Sequence, residues 1–302
     1  MIYVIVVTHN GRKWYDKCFE SLKKASIPIH IIVIDNASTD NTVSYIKENY
    51  PGIYLIENEE NLGFGKANNI GIEYALKNGA DFVFLLNQDT WVGEKTIELL
   101  FNSLQENHEY GIVSPIHLRG DGQELDYRFY SYLYNSRTFL SDIILARRSK
   151  PIYEVKFVNA AFWLLTRKCI EKIGYFDTLF SHYGEDEDYC NRLNYHNIKI
   201  GIVPSTFGWH DRPQGALALE KMSLLKLNNL RKVNHILILK NINKPLFICL
   251  YLVLRNFMYN VLIWIRMGKM KQIFIEIGAI ADSLFQIGNI IKKRKKCSLE
   301  LK

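Results

Sequence analysis

The sequence predicts an α/β fold: a doubly wound, mostly parallel sheet flanked by helices, followed by a C-terminal basic, amphipathic helical segment. Three observations carry this. Short apolar runs alternate with helix-period stretches through the first hundred residues. The runs are continuous in Val, Ile, Leu and Phe, as in parallel strands buried on both faces. Charge is split along the chain: residues 1–219 hold 22 Lys/Arg against 27 Asp/Glu, whereas 220–302 hold 16 against 4. The net charge of +7 thus hides an acidic body and a basic tail, and we expect one domain over 1–219 and a helical region over 220–302.

The elements follow in order. Strands are expected at Ile2–Val7, His30–Ile34, Ile53–Ile56 and Phe82–Leu86, and helices near Trp14–Ala25, Asn41–Asn49 and Lys66–Lys77. This alternation implies right-handed crossovers. Asp40 and Asn41 have the character of a helix cap. Residues 115–155 are less regular; their aromatic tract (Tyr127, Phe129, Tyr130, Tyr132, Tyr134) reads as a mobile flap, an acceptor wall or a self-packed hairpin. Order returns with a strand at Lys156–Leu165, a helix around Lys168–Ile173, an acidic helix from Glu185 and a strand at Lys199–Val203.

Composition narrows the class. With 302 residues, 48% hydrophobic and 23% charged, the chain is globular and holds one large domain or two modest ones. Its five cysteines include no CxxC pair, which argues against a zinc ribbon or disulfide framework. The first apolar run gives way at once to Thr8-His9-Asn10, unlike a signal peptide. A cytoplasmic, reducing location is the expectation.

Open α/β sheets bind ligands beyond the carboxyl ends of their strands. Here Thr8-His9-Asn10-Gly11, Asp35-Asn36-Ala37-Ser38-Thr39-Asp40, Asn61-Leu62-Gly63-Phe64-Gly65 and Asn87-Gln88-Asp89-Thr90 follow the first four strands. Carboxylates and amides at one edge suit the donors and acceptors of a nucleoside. No GxxxxGK[ST] phosphate loop exists. Gly63-Phe64-Gly65 lacks the third glycine of a dinucleotide fingerprint and follows the wrong strand, which disfavours a dehydrogenase. Asp89 suits a hard cation beside a diphosphate, or else caps a helix starting near Glu94.

The run Glu185-Asp186-Glu187-Asp188 exceeds what a helix N-terminus needs. On helical spacing Asp186, Tyr189, Cys190 and Leu193 share one face, and Glu185, Asp188 and Arg192 another. One carboxylate can then serve as general base while Arg192 holds a second; the plainer alternative is a well-capped helix. His210 follows the last strand of the body among aromatics, and is either a metal or diphosphate contact or a structural histidine.

Together with Gly174-Tyr175-Phe176-Asp177, these motifs resemble the family 2 glycosyltransferases, inverting enzymes of the GT-A fold, and are especially similar to their rhamnosyltransferase branch. The resemblance covers roughly residues 1–212. It implies nucleotide-sugar binding by Thr8, Asn10, Asp35, Asn36, Asn61, Gly63, Phe64, Asn68, Asn87 and Gln88. It places Asp186 in the role of catalytic base within a Glu185–Asp186 pair, and assigns Mg²⁺ or Mn²⁺ to Asp89, with His210 completing the shell. Asn87 departs from the family's DxD pattern by replacing its first Asp. The implied reaction moves rhamnose or a hexose from a dTDP- or UDP-sugar to a hydroxyl of a glycan acceptor in cell-surface polysaccharide synthesis. Two rivals are a glycoside hydrolase, whose paired acids need no nucleotide pocket, and a non-catalytic, membrane-docked nucleotide-sugar binder.

The tail carries an apolar stretch, Pro245–Ile265, interrupted by Arg255 and Asn256. Its length suffices to cross a bilayer, but a central Arg is costly there. A helix lying in the headgroup plane, aided by Lys292-Lys293-Arg294-Lys295-Lys296, is the expectation, with a span or a hairpin closing the core as alternatives. A lipid-linked acceptor and peripheral attachment to the cytoplasmic face of the inner membrane follow. Nucleic acid is not an expected partner, because the body is acidic.

Overall fold

A computed structural model describes residues 1–133, 136–180, 183–212 and 224–299. The expected boundary at 219/220 and Tyr134 lie outside the described residues. In chain order the elements are β1 (Ile2–Thr8), α1 (Tyr15–Lys23), β2 (His30–Asp35), α2 (Thr42–Asn49), β3 (Tyr54–Glu57), α3 (Phe64–Lys77), β4 (Phe82–Asn87) and β5 (Thr90–Val92). There follow α4 (Thr96–Glu106), β6 (Tyr110–Arg119), α5 (Tyr127–Leu133), α6 (Arg137–Ile144), β7 (Tyr153–Val155), β8 (Phe162–Thr166), α7 (Arg167–Ile173), α8 (Glu185–Tyr195) and β9 (Lys199–His210). Four helices close the chain: α9 (Leu224–Lys240), α10 (Leu246–Arg266), α11 (Met270–Phe285) and α12 (Ile287–Ser298).

The strands form one mixed sheet in the order β3-β2-β1-β4-β8-β6-β9-β5, with β7 also on β9. The βα units at the N-terminus give the parallel block β3-β2-β1-β4, as expected. Its register aligns Thr8 with Asp35 and Val7 with Asn87, so the polar residues after the strands share one edge. Both faces of the sheet are covered. Ile5, Ile34 and Leu85 face one apolar layer with Trp163 and Tyr189; Val4, Val6 and Phe84 face the other with Tyr15, Phe19 and Leu100. That two-sided burial is why these strands lack polar alternation.

Three expectations change. Residues 127–133 and 137–144 form helices in place of the self-packed hairpin. The Asp126 carboxylate accepts the N–H groups of Arg128 and Phe129, both at 3.0 Å, and Phe129, Leu133 and Phe139 enter the core. Of the strand expected at Lys156–Leu165 only the end forms, as β8 from Phe162, while β7 precedes it at Tyr153–Val155; between them the chain bends so that the Val158 carbonyl accepts the Trp163 indole N–H (3.2 Å). The last strand runs on to His210 past a register slip opposite Pro115 and Ile116. Pro204, lacking an N–H, sits in that slip, where a ladder tolerates proline.

The C-terminal helices pack around a third apolar cluster of Val233, Ile236, Leu237, Cys249, Val253, Ile280 and Ile290, together with Phe180 of the sheet domain. Most of α10 stays outside it.

Candidate active site

Building from β1 and β2, buried Asp35 gathers the first two loops. Its carboxylate accepts the Thr8 hydroxyl (3.0 Å), the Ser38 hydroxyl (2.6 Å) and the Ser38 N–H (2.9 Å). Asn10 adopts φ +49, which Asn tolerates better than most residues. Its Oδ1 accepts the N–H groups of Thr39 (2.8 Å) and Asp40 (3.3 Å). Asn36 ties the second loop to the third: its Nδ2 donates to Asn61 Oδ1 (2.8 Å), and its Oδ1 accepts from Leu62 N–H (2.9 Å) and Asn58 Nδ2 (3.2 Å). Gly63 begins α3 with φ +79, a conformation that glycine adopts without strain. Buried Asn68 donates to the Phe64 carbonyl (3.0 Å).

Gln88 has turned inward. Its Oε1 accepts His9 N–H (2.9 Å) and the Tyr15 hydroxyl (3.3 Å), while its Nε2 donates to the His9 carbonyl (3.2 Å). Asn10, Asn36, Asn61 and Gln88 therefore fasten loop to loop, and the four loops form one rim. Asn87 Oδ1 is buried without a partner.

Asp89 caps no helix. The helix near it starts at Thr96, whose hydroxyl oxygen accepts Gly93 N–H (3.1 Å). Asp89 Oδ1 instead faces His210 Nε2 at 3.4 Å, brought there by the antiparallel β5–β9 pair. Behind His210 lies Asp126 (4.0 Å from Nδ1), which is held by Arg212. Among the described residues no three His, Cys, Asp or Glu side chains group as a metal site. One carboxylate and one imidazole nonetheless fit a Mg²⁺ or Mn²⁺ ion that takes its remaining ligands from phosphate and water, and the orphaned Asn87 oxygen lies at the same strand end.

The acidic helix closes the other side. A Cβ at Gly65, in the first turn of α3, would lie 3.5 Å from the Glu185 Cβ and 3.1 Å from the Phe176 Cβ. The third loop and the acidic patch are thus in contact. Asn69 fixes this junction by exchanging two 2.9 Å hydrogen bonds with the Phe176 backbone. Each carboxylate of the run meets a different environment. Glu185 is 5% exposed with Oε2 unpartnered, and burial with the neighbouring Asp186 charge pushes its carboxyl up to about 8. Half-buried Asp186 is also raised by desolvation, opposed by the Glu187 N–H (2.8 Å), the Ala160 N–H and the Arg128 charge. Asp188 pairs with Arg192 (3.0 Å), the arginine clamp that helical spacing anticipated. The Ala160–Ala161 segment bridges the halves, since the Ala161 carbonyl accepts Asn87 N–H (3.2 Å).

Residues 3–174 match the profile of glycosyl transferase family 2. This chain belongs to that family. The match ends before Glu185 and His210, so the acidic helix and the histidine rest on geometry. A low-salt glycan biosynthesis hexosyltransferase of Haloferax volcanii is 26% identical over 186 residues, 60% of this chain and 59% of the relative. A dTDP-rhamnosyl transferase of Shigella flexneri is 24% identical over 205 residues (67% and 66%), and a rhamnosyltransferase of Escherichia coli 25% identical over 222 (70% and 83%). The chain thus spans 59% and 66% of the lengths of the first two. S. aureus TarS 1–349 in complex with UDP superposes with TM-score 0.55 at 17% identity, covering 82% of this chain and 68% of that one. GalNAc-T7 with UDP, GalNAc and Mn²⁺ gives 0.55 at 17% identity (77% and 47%). The fold of this family 2 chain is GT-A.

Sequence reasoning missed two groups here. Asp126 and Arg212 back His210 across 86 residues of chain, and nothing in the sequence links them. Lys240 reaches the acidic helix from the C-terminal region. Its only signal was a lone charge in register with Val233, Ile236 and Leu237.

Proposed function

We propose that the chain is an inverting glycosyltransferase. In this reading it moves rhamnose or a hexose from a dTDP- or UDP-sugar to a hydroxyl of a glycan acceptor, lipid-linked, in cell-surface polysaccharide synthesis. One observation carries the proposal: the nucleoside-suited rim of four strand-end loops abuts an acidic helix whose two leading carboxyls differ in environment. Such a split is how paired acids are given separate roles. Glu185, held near 8, is largely protonated at neutral pH, which relieves repulsion on Asp186. Asp186 is the base, removing the acceptor hydroxyl proton as that oxygen attacks the anomeric carbon opposite the departing diphosphate. Thr8, Asp35 and the 61–68 segment bind the nucleoside, and Asn87 offers its free oxygen to the donor. Asp89 and His210 would hold Mg²⁺ or Mn²⁺, which supplies charge neutralisation on the leaving diphosphate. The relatives' names favour dTDP-rhamnose as the first donor to try.

The membrane partner belongs to the same reading. α10 is 21 residues long with mean hydropathy 1.8 over its best window, only 11% of which is buried. Phe247, Tyr251, Leu254, Met258, Leu262 and Ile265 recur at helical spacing and are all exposed. Its opposite face carries Asn260, whose Nδ2 donates to buried Glu276 (3.0 Å), itself paired with Arg231 (3.2 Å). A span would drag this charged cluster towards hydrocarbon. Lying flat, with Arg255, Arg266 and Lys269 at the headgroups, suits an anionic surface.

The test is turnover of a panel of dTDP- and UDP-sugars by the full chain, with Asp186→Asn beside it. Asp186→Asn should retain nucleotide binding and lose turnover by roughly 10²–10⁴; unchanged turnover removes Asp186 from the mechanism. For the membrane, Met258→Glu should reduce flotation with anionic vesicles and leave turnover of soluble acceptor intact. Equal flotation of the two proteins rejects that surface.

A further inference from the structure

The first turn of α8 is gripped by the C-terminal helices. Gly184, at φ +87, precedes it, and a Cβ there would meet Val233 Cγ1 at 2.7 Å and Leu237 Cδ1 at 3.2 Å. One turn along α8, Asp188 takes the ammonium of Lys240, a side chain only 1% exposed. Val233, Leu237 and Lys240 lie on one face of α9 at i, i+4 and i+7, opposite Gly184 and Asp188. Lys240 also reaches Asp177 at 3.0 Å, and Lys293 of α12 pairs with the same carboxylate. Arg192 completes the cluster by donating to Asp188 and to the Ile173 (2.7 Å) and Tyr175 (3.0 Å) carbonyls.

The geometry points to Lys240 as a positioning residue for the general base, with the C-terminal helical region a working part of the active site. This rests on the transferase reading above. The physical reason is the direction of each hold on one turn of helix. α3 blocks the Glu185 side, the Ala160 segment contacts Asp186, and α9 closes the remaining side through Gly184 and Asp188. A buried ammonium between two carboxylates has few alternative geometries, because moving it takes one of two cationic partners from each buried acid and leaves the ammonium itself uncompensated. Lys240 thereby fixes the rotation of α8 about its axis, and with it the direction of Asp186. Misplacement by about 1 Å is worth up to about 10²-fold in rate.

The experiment compares Lys240→Met, Lys240→Arg and Lys293→Met in the full chain. Lys240→Met should lower kcat at least about tenfold per folded molecule, with donor KM and nucleotide Kd within about threefold of the parent, because the nucleoside rim is built on β1 to β4. Lys240→Arg, keeping the charge, should recover most of that loss. Lys293→Met, on a part-exposed partner, should fold and show a smaller loss in kcat alone; it decides the matter if Lys240→Met does not fold. Amide exchange at residues 185–189 should accelerate in the impaired variants, a readout that needs no turnover. Unchanged kcat and unchanged exchange in folded variants overturn the inference; an inactive parent with accelerated exchange in the variants rejects the transferase reading instead.

Discussion

Replacing Glu185 with Gln isolates the energetic cost of one buried acid. The Glu185 carboxyl moves from its ordinary 4.5 to about 8 on folding, chiefly through desolvation and then the Asp186 charge. The folded chain therefore binds more protons than the unfolded chain between these values, and stability falls as pH rises through that window. The cost is absent below about 4.5 and complete above about 8. With each tenfold change in proton affinity worth about 1.4 kcal/mol, it reaches roughly 3–5 kcal/mol, with little solvent screening at a 5% exposed residue. Glutamine is neutral throughout, so the difference between variant and parent reports this one group. Urea unfolding of both proteins at about pH 5 and about pH 9 measures it. Glu185→Gln should gain roughly 3–5 kcal/mol relative to the parent on going to the higher pH. A difference that stays within about 1 kcal/mol at the two pH values would refute the claim that this carboxyl is buried unpaired.

Three further outcomes follow from the site. Asp89→Asn should raise the Mn²⁺ concentration needed for half-maximal turnover at least about tenfold, the scale on which even outer-shell changes act, and chelation should abolish turnover of the parent reversibly. Asn36→Ala leaves the part-buried Leu62 N–H without its side-chain acceptor and should lower stability by about 1 kcal/mol in denaturant titrations, with weaker nucleotide binding in calorimetry. Gly65→Ala puts a methyl 3.1 Å from the Phe176 Cβ; overpacking of about 1–3 kcal/mol should appear as a lowered Tm together with slower turnover, because the same contact seats Glu185.

The parallel block and its polar edge were written plainly in the chain. Spacing along the chain is the reason: continuous apolar runs that each reach a Thr, Asp or Asn read as strands buried on both faces, and a parallel block sets those ends along one edge. The pairing of Asp188 with Arg192 was legible for the same reason, since four residues is one helical turn. The helices at 127–133 and 137–144 were not, because aromatic residues suit strands as well as helices, and the first of them starts on a single Asp126 carboxylate that accepts two backbone N–H groups. Nor could sequence say which way amides point: Asn10, Asn36 and Gln88, expected at the nucleotide sugar, also fasten loop to loop, an arrangement set by packing. The charge on the tail was visible, but it favoured a surface over a hairpin closing the core. Lys240 breaks that pattern, buried between Asp177 and Asp188 from 52 residues beyond the nearer of them. Local sequence determined the parallel block and the polar residues along its edge. Tertiary structure alone decided how the acidic helix is aimed, because that depends on three separate segments meeting one turn of helix, and no periodicity in the chain records such a meeting.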